Sequence, residues 1–331
     1  MRRIILLCLA LLALTAWGGE SWQLTILHTN DLHGMLLPFD YRGNLFQREP
    51  ARRDIGGLAR RATAIAQLRT ATDHALVVID AGDLFTRGPW HQRFFGLPEI
   101  EALNLMGYDL FCVGNNEFKA TEKADSQLQM LRLMRRSRFP WLAANLTVGE
   151  TGVPVEGIHP FIVRNFGDVR VGFLGLTAPR SAEYPQVAGW TISDPIAAAK
   201  RWVPIARREC DILIAVVHLG VGEFDRKLAA SVPGIDAIVS ADSHEFLRAP
   251  LLIKNPDGIE VPLVQAGEMG LYVGRLDLTF THEHDWRLTK SEGKLLLIDN
   301  SYPEDPAVKK MLDRYLHPAT VGSRRVVLKA A

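Results

Sequence analysis

Five apolar runs in this 331-residue chain each end in a short polar segment rich in metal-binding residue types, and that repetition constrains the fold more than any other feature. Leu24–His28 runs into Thr29-Asn30-Asp31-Leu32-His33-Gly34, and Ala75–Ile79 into Asp80-Ala81-Gly82-Asp83. Leu110–Val113 leads to Gly114-Asn115-Asn116-Glu117-Phe118, Ile212–Val217 to His218-Leu219-Gly220, and Ala237–Val239 to Ser240-Ala241-Asp242-Ser243-His244. Short apolar runs bounded by turn residues read as buried strands. In α/β sheets, ligands bind beyond the carboxyl ends of the strands. Asp31, His33, Asp83, Asn115, His218, Asp242 and His244 are therefore expected to meet at one spot.

Trp141–Ala144 and Val169–Leu176 add two more strand candidates. Helix candidates lie between them. In residues 57–69, Leu58, Ala62 and Ile65 share one face and leave Arg60, Arg61 and Arg69 for the wet side. Residues 126–136 and 195–208 read the same way. Leu251–Ile253 and Val261–Gln265 flank an Asn-Pro-Asp-Gly turn, a hairpin signal. Residues 271–280 and 286–298 look like two more paired strands. The pattern predicts a mixed α/β sandwich rather than a purely parallel sheet. Near the end, Asp305-Pro306 supplies an N-cap and a proline in the first turn. Val308, Met311, Leu312, Tyr315 and Leu316 then form one apolar stripe, with Gly322 beyond it. No internal repeat or low-complexity linker is evident.

The first residues read differently. Arg2 and Arg3, the apolar run Ile4–Leu14 and the small-x-small Ala16-Trp17-Gly18 make a Sec-type signal peptide over residues 1–18. The mature chain is then expected in the periplasm or outside the cell, with no later segment long enough to span a membrane. Losing Arg2 and Arg3 leaves 36 basic against 37 acidic side chains, a net of −1. That balance argues against nucleic acid as the main partner. Cys112 and Cys210 are too few for a disulfide framework and read as buried thiols.

Each polar segment has a local logic. The side chains of Asp31 and His33 point the same way if the segment stays extended. Gly82 lets the backbone turn sharply before Asp83. The two oxygens of Asp83 can bridge two cations.

The ordered motifs resemble those of the 5′-nucleotidase and 2′,3′-cyclic-nucleotide phosphodiesterase family, within the calcineurin-like metallophosphoesterases. The matching stretches are residues 26–34, Gly56-Gly57-Leu58-Ala59-Arg60, Asp80-Ala81-Gly82-Asp83 and residues 104–109. Gly114-Asn115-x-Glu117-Phe118, residues 215–220 and Val264-Gln265-Ala266-Gly267 complete the set. The resemblance covers residues 22–300 and implies a four-layer αββα sandwich, a metallophosphoesterase domain over 19–300, and a C-terminal helix and tail over 301–331. It implies one divalent metal held by Asp31, His33, Asp83 and His244. A second would be held by Asp83, Asn115, His218 and Asp242. The implied activity is hydrolysis of small phosphorylated substrates by metal-activated hydroxide.

Three departures qualify that expectation. The family's catalytic His–Asp pair is Asn116 and Lys119 here, and an amide cannot give a proton to a leaving group. Asp242 stands where the family has an imidazole, which favours Mn²⁺, Mg²⁺ or iron over Zn²⁺. The family's C-terminal nucleotide-binding domain is missing, the end helix resembles its interdomain connector, and a partner chain in its place is open. A thiosulfohydrolase-like hydrolase of the same superfamily, or a non-catalytic metal- or ligand-binding protein, is the alternative reading. Outside the motifs, His91 could replace the missing acid but reads as a solvated loop histidine. Lys119 is either a point cation for phosphoryl charge or a surface lysine. His282-Glu283-His284-Asp285 reads as an exposed turn, Asn145-Leu146-Thr147 as a turn, and Arg135, Arg136 and Arg138 as the wet end of a helix.

Overall fold

The computed structural model describes residues 20–86, 88–119 and 126–316. The segment read as a signal peptide and the tail with Gly322 lie outside the described residues. Strands β1 (Glu20–Thr29), β2 (Ala75–Asp80), β3 (Leu110–Cys112), β4 (Trp141–Leu142) and β5 (Ile158–His159) lie parallel, side by side. The chain then builds a second sheet from β6 (Phe161–Phe166), β7 (Val169–Leu176), β8 (Ile212–Val217), β9 (Ala237–Val239), β10 (Leu251–Lys254) and β11 (Glu260–Val264). Its spatial order is β10-β11-β9-β8-β7-β6, with β7, β8, β9 and β11 parallel. The long hairpin β12 (Tyr272–His282) and β13 (Trp286–Leu297) returns to the first sheet and pairs antiparallel with β1. The first sheet therefore reads β13-β12-β1-β2-β3-β4-β5.

Continuous apolar runs are what a strand covered on both faces requires. Leu24 and Ile26 of β1, Val77 and Ile79 of β2, Val171 and Phe173 of β7 and Ile214 and Val216 of β8 meet in one core between the sheets. Side chains on the opposite faces meet helices. Helices α1 (Leu58–Thr70), α2 (Leu97–Met106) and α3 (Ser126–Arg136) cover the first sheet, through Leu58, Ile65, Ile100, Leu103, Met130 and Leu133. Helices α4 (Pro195–Ala206) and α5 (Arg226–Ser231) cover the second through Ile196, Val203 and Leu228. Helix α6 (Pro306–Leu316) returns to the first layer. Asp305 caps it as expected, its Oδ1 accepting from the backbone N–H of Ala307 at 3.0 Å and Val308 at 2.9 Å. The result is the four-layer αββα sandwich, in which Cys112 and Cys210 are buried and free. No helix among the described residues is long and apolar enough to cross a membrane.

Candidate metal centre

The parallel strands of both sheets deliver their carboxyl ends to one place. β1 and β2 keep pairing beyond their last residues: the N–H of Asp31 bonds the carbonyl of Gly82 at 2.8 Å, and that of His33 bonds Asp83 at 3.0 Å. These loops are not extended, which corrects the reasoning that aligned Asp31 with His33. Asp31, His33, Asp83, Asp242 and His244 all have left-handed φ, between 50° and 82°. Such backbone is costly for residues with a Cβ and concentrates where a site demands it. The side chains converge through these turns, not through strand alternation. Gly82 turns as expected, at φ 98°, and a Cβ there would lie 2.6 Å from the backbone nitrogen of Gly114.

Asp31 Oδ1 is the hub. It is buried and faces three imidazole Nε2 atoms, those of His244 at 3.4 Å, His33 at 3.8 Å and His218 at 3.9 Å. His218 Nε2 also lies 3.2 Å from Asp83 Oδ1 and 3.4 Å from Asp242 Oδ1. His33 and His244 approach each other to 3.1 Å between their Nε2 atoms. Asn115 joins through Arg180, whose Nη2 donates to its Oδ1 at 2.6 Å. Two overlapping groups, Asp31 with His33 and His244 and Asp31 with Asp83 and His218, have the spacing to hold a metal ion.

A shell of fixed partners aims these donors. His218 Nδ1 is held by the carbonyl of Ala81 at 2.8 Å, and His244 Nδ1 by Glu268 Oε2 at 2.9 Å. Each contact leaves Nε2 turned inward, the arrangement a metal-binding histidine uses. Glu268 is itself held by the Tyr41 hydroxyl at 2.9 Å. Asn30 Nδ2 donates to Asp31 Oδ2 at 2.7 Å. Asn116 gives its backbone N–H to Asp83 Oδ1 at 2.8 Å and its side-chain amide to Asp83 Oδ2. Buried Glu117 accepts from the N–H groups of Asp83, Leu84 and Gly114 at 3.0, 2.9 and 2.7 Å.

The electrostatics favour cations. Burial opposes charge on His244, yet the neighbouring carboxylates of Asp31 and Glu268 push its pKa up to about 10. Burial likewise works against a charged His218, but Asp83 and Asp242 raise it well above the ordinary value. Burial would raise the Asp83 carboxyl, and His218 more than reverses that. Asp31 Oδ1 and His218 Nε2 are buried with no hydrogen-bond partner among the described residues. Two orphaned donors aimed at one point, amid carboxylates that hold imidazoles protonated, fit a divalent cation, which would displace those protons.

The sequence reading missed three contributors. Arg180, just past the end of β7, forks onto Asp242 and reaches Asn115. Glu268 follows β11, and Glu117 braces the Asp83 loop. Arg180 and Glu268 also lie just past strand ends, but outside the five polar segments that follow the apolar runs. His91 is not a solvated loop histidine: it is buried, its ring 6.5 Å from that of Phe85 and 6.2 Å from that of Phe95. Lys119 Nζ sits 4.0 Å above the Tyr184 ring. Asn145 is no simple turn residue, since its buried amide bonds the backbone N–H and carbonyl of Thr177, both at 2.9 Å. Residues 283–285 form the expected exposed turn. It borders a cleft of about 1010 Å³, lined by Trp22, Phe166, Arg207, Asp211 and Asp236. Those residues flank the amino ends of the parallel strands, the wrong end for this cluster.

Comparison with known proteins shows the family and the fold. The sequence profile of the calcineurin-like phosphoesterases matches residues 24–246. The chain is similar to the 5′-nucleotidase of Bos taurus, 31% identical over 329 residues, covering 93% of this chain and 55% of that protein. It thus spans about half the length of the curated relatives it matches. A 5′-nucleotidase precursor from Thermus thermophilus superposes with a TM-score of 0.77 at 28% identity, covering 90% of this chain and 59% of that one. A sulfate thiohydrolase from Thermus thermophilus superposes with a TM-score of 0.76 over 90% of this chain and 61% of that one, and at 17% identity this likeness speaks to the fold alone.

Proposed function

The chain belongs to the calcineurin-like phosphoesterase family, and from that premise we propose that it is a metal-dependent hydrolase of small phosphorylated substrates, nucleotide-like esters included, working without the usual proton donor. The observation that carries the reading is the convergence of three imidazole nitrogens on one buried oxygen of Asp31. We assign Asp31, His33, Asp83 and His244 to one subsite, and Asp83, Asn115, His218 and Asp242 to its neighbour. Divalent cations bound there, with Mn²⁺ favoured and Zn²⁺, Mg²⁺ or iron compatible, supply Lewis-acid charge against a phosphoryl group and lower the pKa of water. We also read residues 1–18 as an export signal, which puts the mature protein in the periplasm or outside the cell.

The chain's own residues set what leaves easily. Asn116 spends its backbone and side-chain N–H groups on Asp83. It therefore orients Asp83, and being an amide it has no acidic proton to give a departing oxygen. Lys119, over the Tyr184 ring, adds positive charge at the rim. Substrates whose leaving group departs as a stable anion should then be preferred. With Mn²⁺ supplied, kcat for nitrophenyl phosphate should exceed that for adenosine monophosphate by on the order of 10²-fold. The double change Asn116→His with Lys119→Asp should narrow the gap. Fast turnover of adenosine monophosphate with a bell-shaped pH profile would overturn the altered-donor reading. Metal-loaded protein that cleaves no ester would overturn the hydrolase reading itself.

A further inference from the structure

We propose that Gln265 is a positioning residue for both halves of the centre: its one side-chain amide sets the turn from which Asp242 and His244 reach their separate subsites. The inference rests on the reading of this cluster as a metal centre. Gln265 is the first residue past β11 and is fully buried. Its Nε2 donates to Ser240 Oγ at 2.8 Å and to the carbonyl of Ala241 at 2.9 Å. Its Oε1 accepts from the backbone N–H of Glu245 and from Ser243 Oγ, the latter at 3.3 Å. The amide therefore spans residues 240–245 from one end to the other, with Asp242 and His244 between its contacts. Those two residues hold left-handed φ, 82° and 56°. Such backbone persists only where the surroundings impose it.

The chemistry of the side chain fits the task. A primary amide donates from one atom and accepts on its neighbour, which is what the two ends of this turn require. A carboxylate of the same length could only accept, and it would set a buried charge against the Ala241 carbonyl. The bracing also reaches the next loop. Ser240 Oγ donates onward to the buried carboxylate of Asp225, and Ser243 Oγ accepts from the backbone N–H of Val221 at 3.1 Å. Val221 and Asp225 bound the π-helical turn directly after His218-Leu219-Gly220. The neighbouring Ala266 gives its N–H to Asn30 Oδ1 at 2.9 Å, and Asn30 in turn holds Asp31. Glu268 braces His244 by touching it, whereas Gln265 braces the backbone under Asp242 and His244 together. Loss of its amide should therefore be felt by both ions.

The test is calorimetric titration of the metal-stripped full chain with Mn²⁺, for the native protein and for Gln265→Met, Gln265→Glu and Ser243→Ala. Circular dichroism and thermal unfolding of each protein without metal accompany it. The native chain should bind two ions. Gln265→Met and Gln265→Glu should each weaken both by on the order of tenfold or more, the effect of removing a group that orients metal ligands. Ser243→Ala keeps the amide and removes one of its contacts, and should weaken both ions by less. A Gln265 that serves the fold alone would lower Tm without metal and leave both affinities unchanged. That result, or weakening of one ion only, would overturn the inference and leave the metal centre standing. If neither Gln265 variant folds, Ser243→Ala decides, and native affinities in that protein would overturn the inference. No Mn²⁺ binding by the native chain would overturn the metal centre itself.

Discussion

A histidine is a good metal donor only when its other ring nitrogen is already engaged. His218 meets that condition through the Ala81 carbonyl, and His244 through Glu268. The two supports differ in kind. The Ala81 carbonyl belongs to the backbone and cannot be removed by substitution, whereas Glu268 is a side chain fixed by Tyr41 and Asn44. Burial would raise the Glu268 carboxyl, but its bonds to His244 and Tyr41 hold it down to about 2, so it is an anion at any working pH. Glu268→Gln keeps the shape and removes the charge that makes His244 a strong donor. The change should weaken Mn²⁺ binding by about 10- to 100-fold while leaving the folded structure intact. Calorimetry reads the first quantity and circular dichroism the second. An unchanged affinity would mean that His244 is oriented by the protein around it without help from this carboxylate.

At the scale of elements, strand β1 shows how a core strand prepares a site. Leu24, Ile26 and His28 share the face toward the second sheet, and His28 pairs in register with Gly274 of β12. A Cβ at 274 would collide with the imidazole, so glycine here is space reserved for His28. Burial pushes the His28 pKa down to about 3, so the folded chain holds it neutral. The unfolded chain protonates it below its ordinary value of about 6.5. The stability contributed by neutral His28 is therefore complete above pH 6.5 and is lost as pH falls toward 3, at about 1.4 kcal/mol per pH unit. His28→Gln should flatten that part of the acid-unfolding curve. Gly274→Ala should cost roughly 1–3 kcal/mol by overpacking at neutral pH. An acid limb identical in native and His28→Gln protein would refute the buried-neutral assignment. The same elements show what sequence reveals. β7, β8 and β9 match their apolar runs residue for residue, because strands buried on both faces are written as unbroken apolar text. Helix α2 escaped because apolar Leu105 is exposed and charged Glu99 is fully buried, so polarity does not follow burial along it. The seven expected ligand positions were legible as strand-end residues. Their left-handed turns were not, since nothing in Asp-x-His or Asp-Ser-His announces a positive φ.

At the scale of the whole molecule, the informative element is the last described one. From sequence, α6 resembles the family's interdomain connector. In the structure it is part of the helix layer. The N–H of Asp305 bonds the carbonyl of Ala59 at 2.9 Å, and the Tyr315 hydroxyl bonds Glu101 at 2.8 Å. Val308, Met311, Leu312 and Leu316 are buried in the same apolar core as Leu32, Leu36, Leu84 and Phe85, which flank His33 and Asp83. The metal loops and the end helix thus share one packed body. Met311, 1% exposed, sits in it. Met311→Ala should cost about 2–5 kcal/mol by leaving a cavity that close packing cannot fully collapse. Metal binding should not be lost with it, because the expected ligands are fixed by hydrogen bonds among the strand-end loops. Mn²⁺ should therefore raise Tm in the variant by nearly as much as in the native chain, since a ligand that binds only the folded state stabilises by mass action. Thermal unfolding of both proteins with and without Mn²⁺ separates the possibilities. A Met311→Ala protein as stable as the native chain would mean that α6 adds little to the packed body. A variant that folds but gains nothing from Mn²⁺ would show that the helix layer, and not the loops alone, holds the ligands in place.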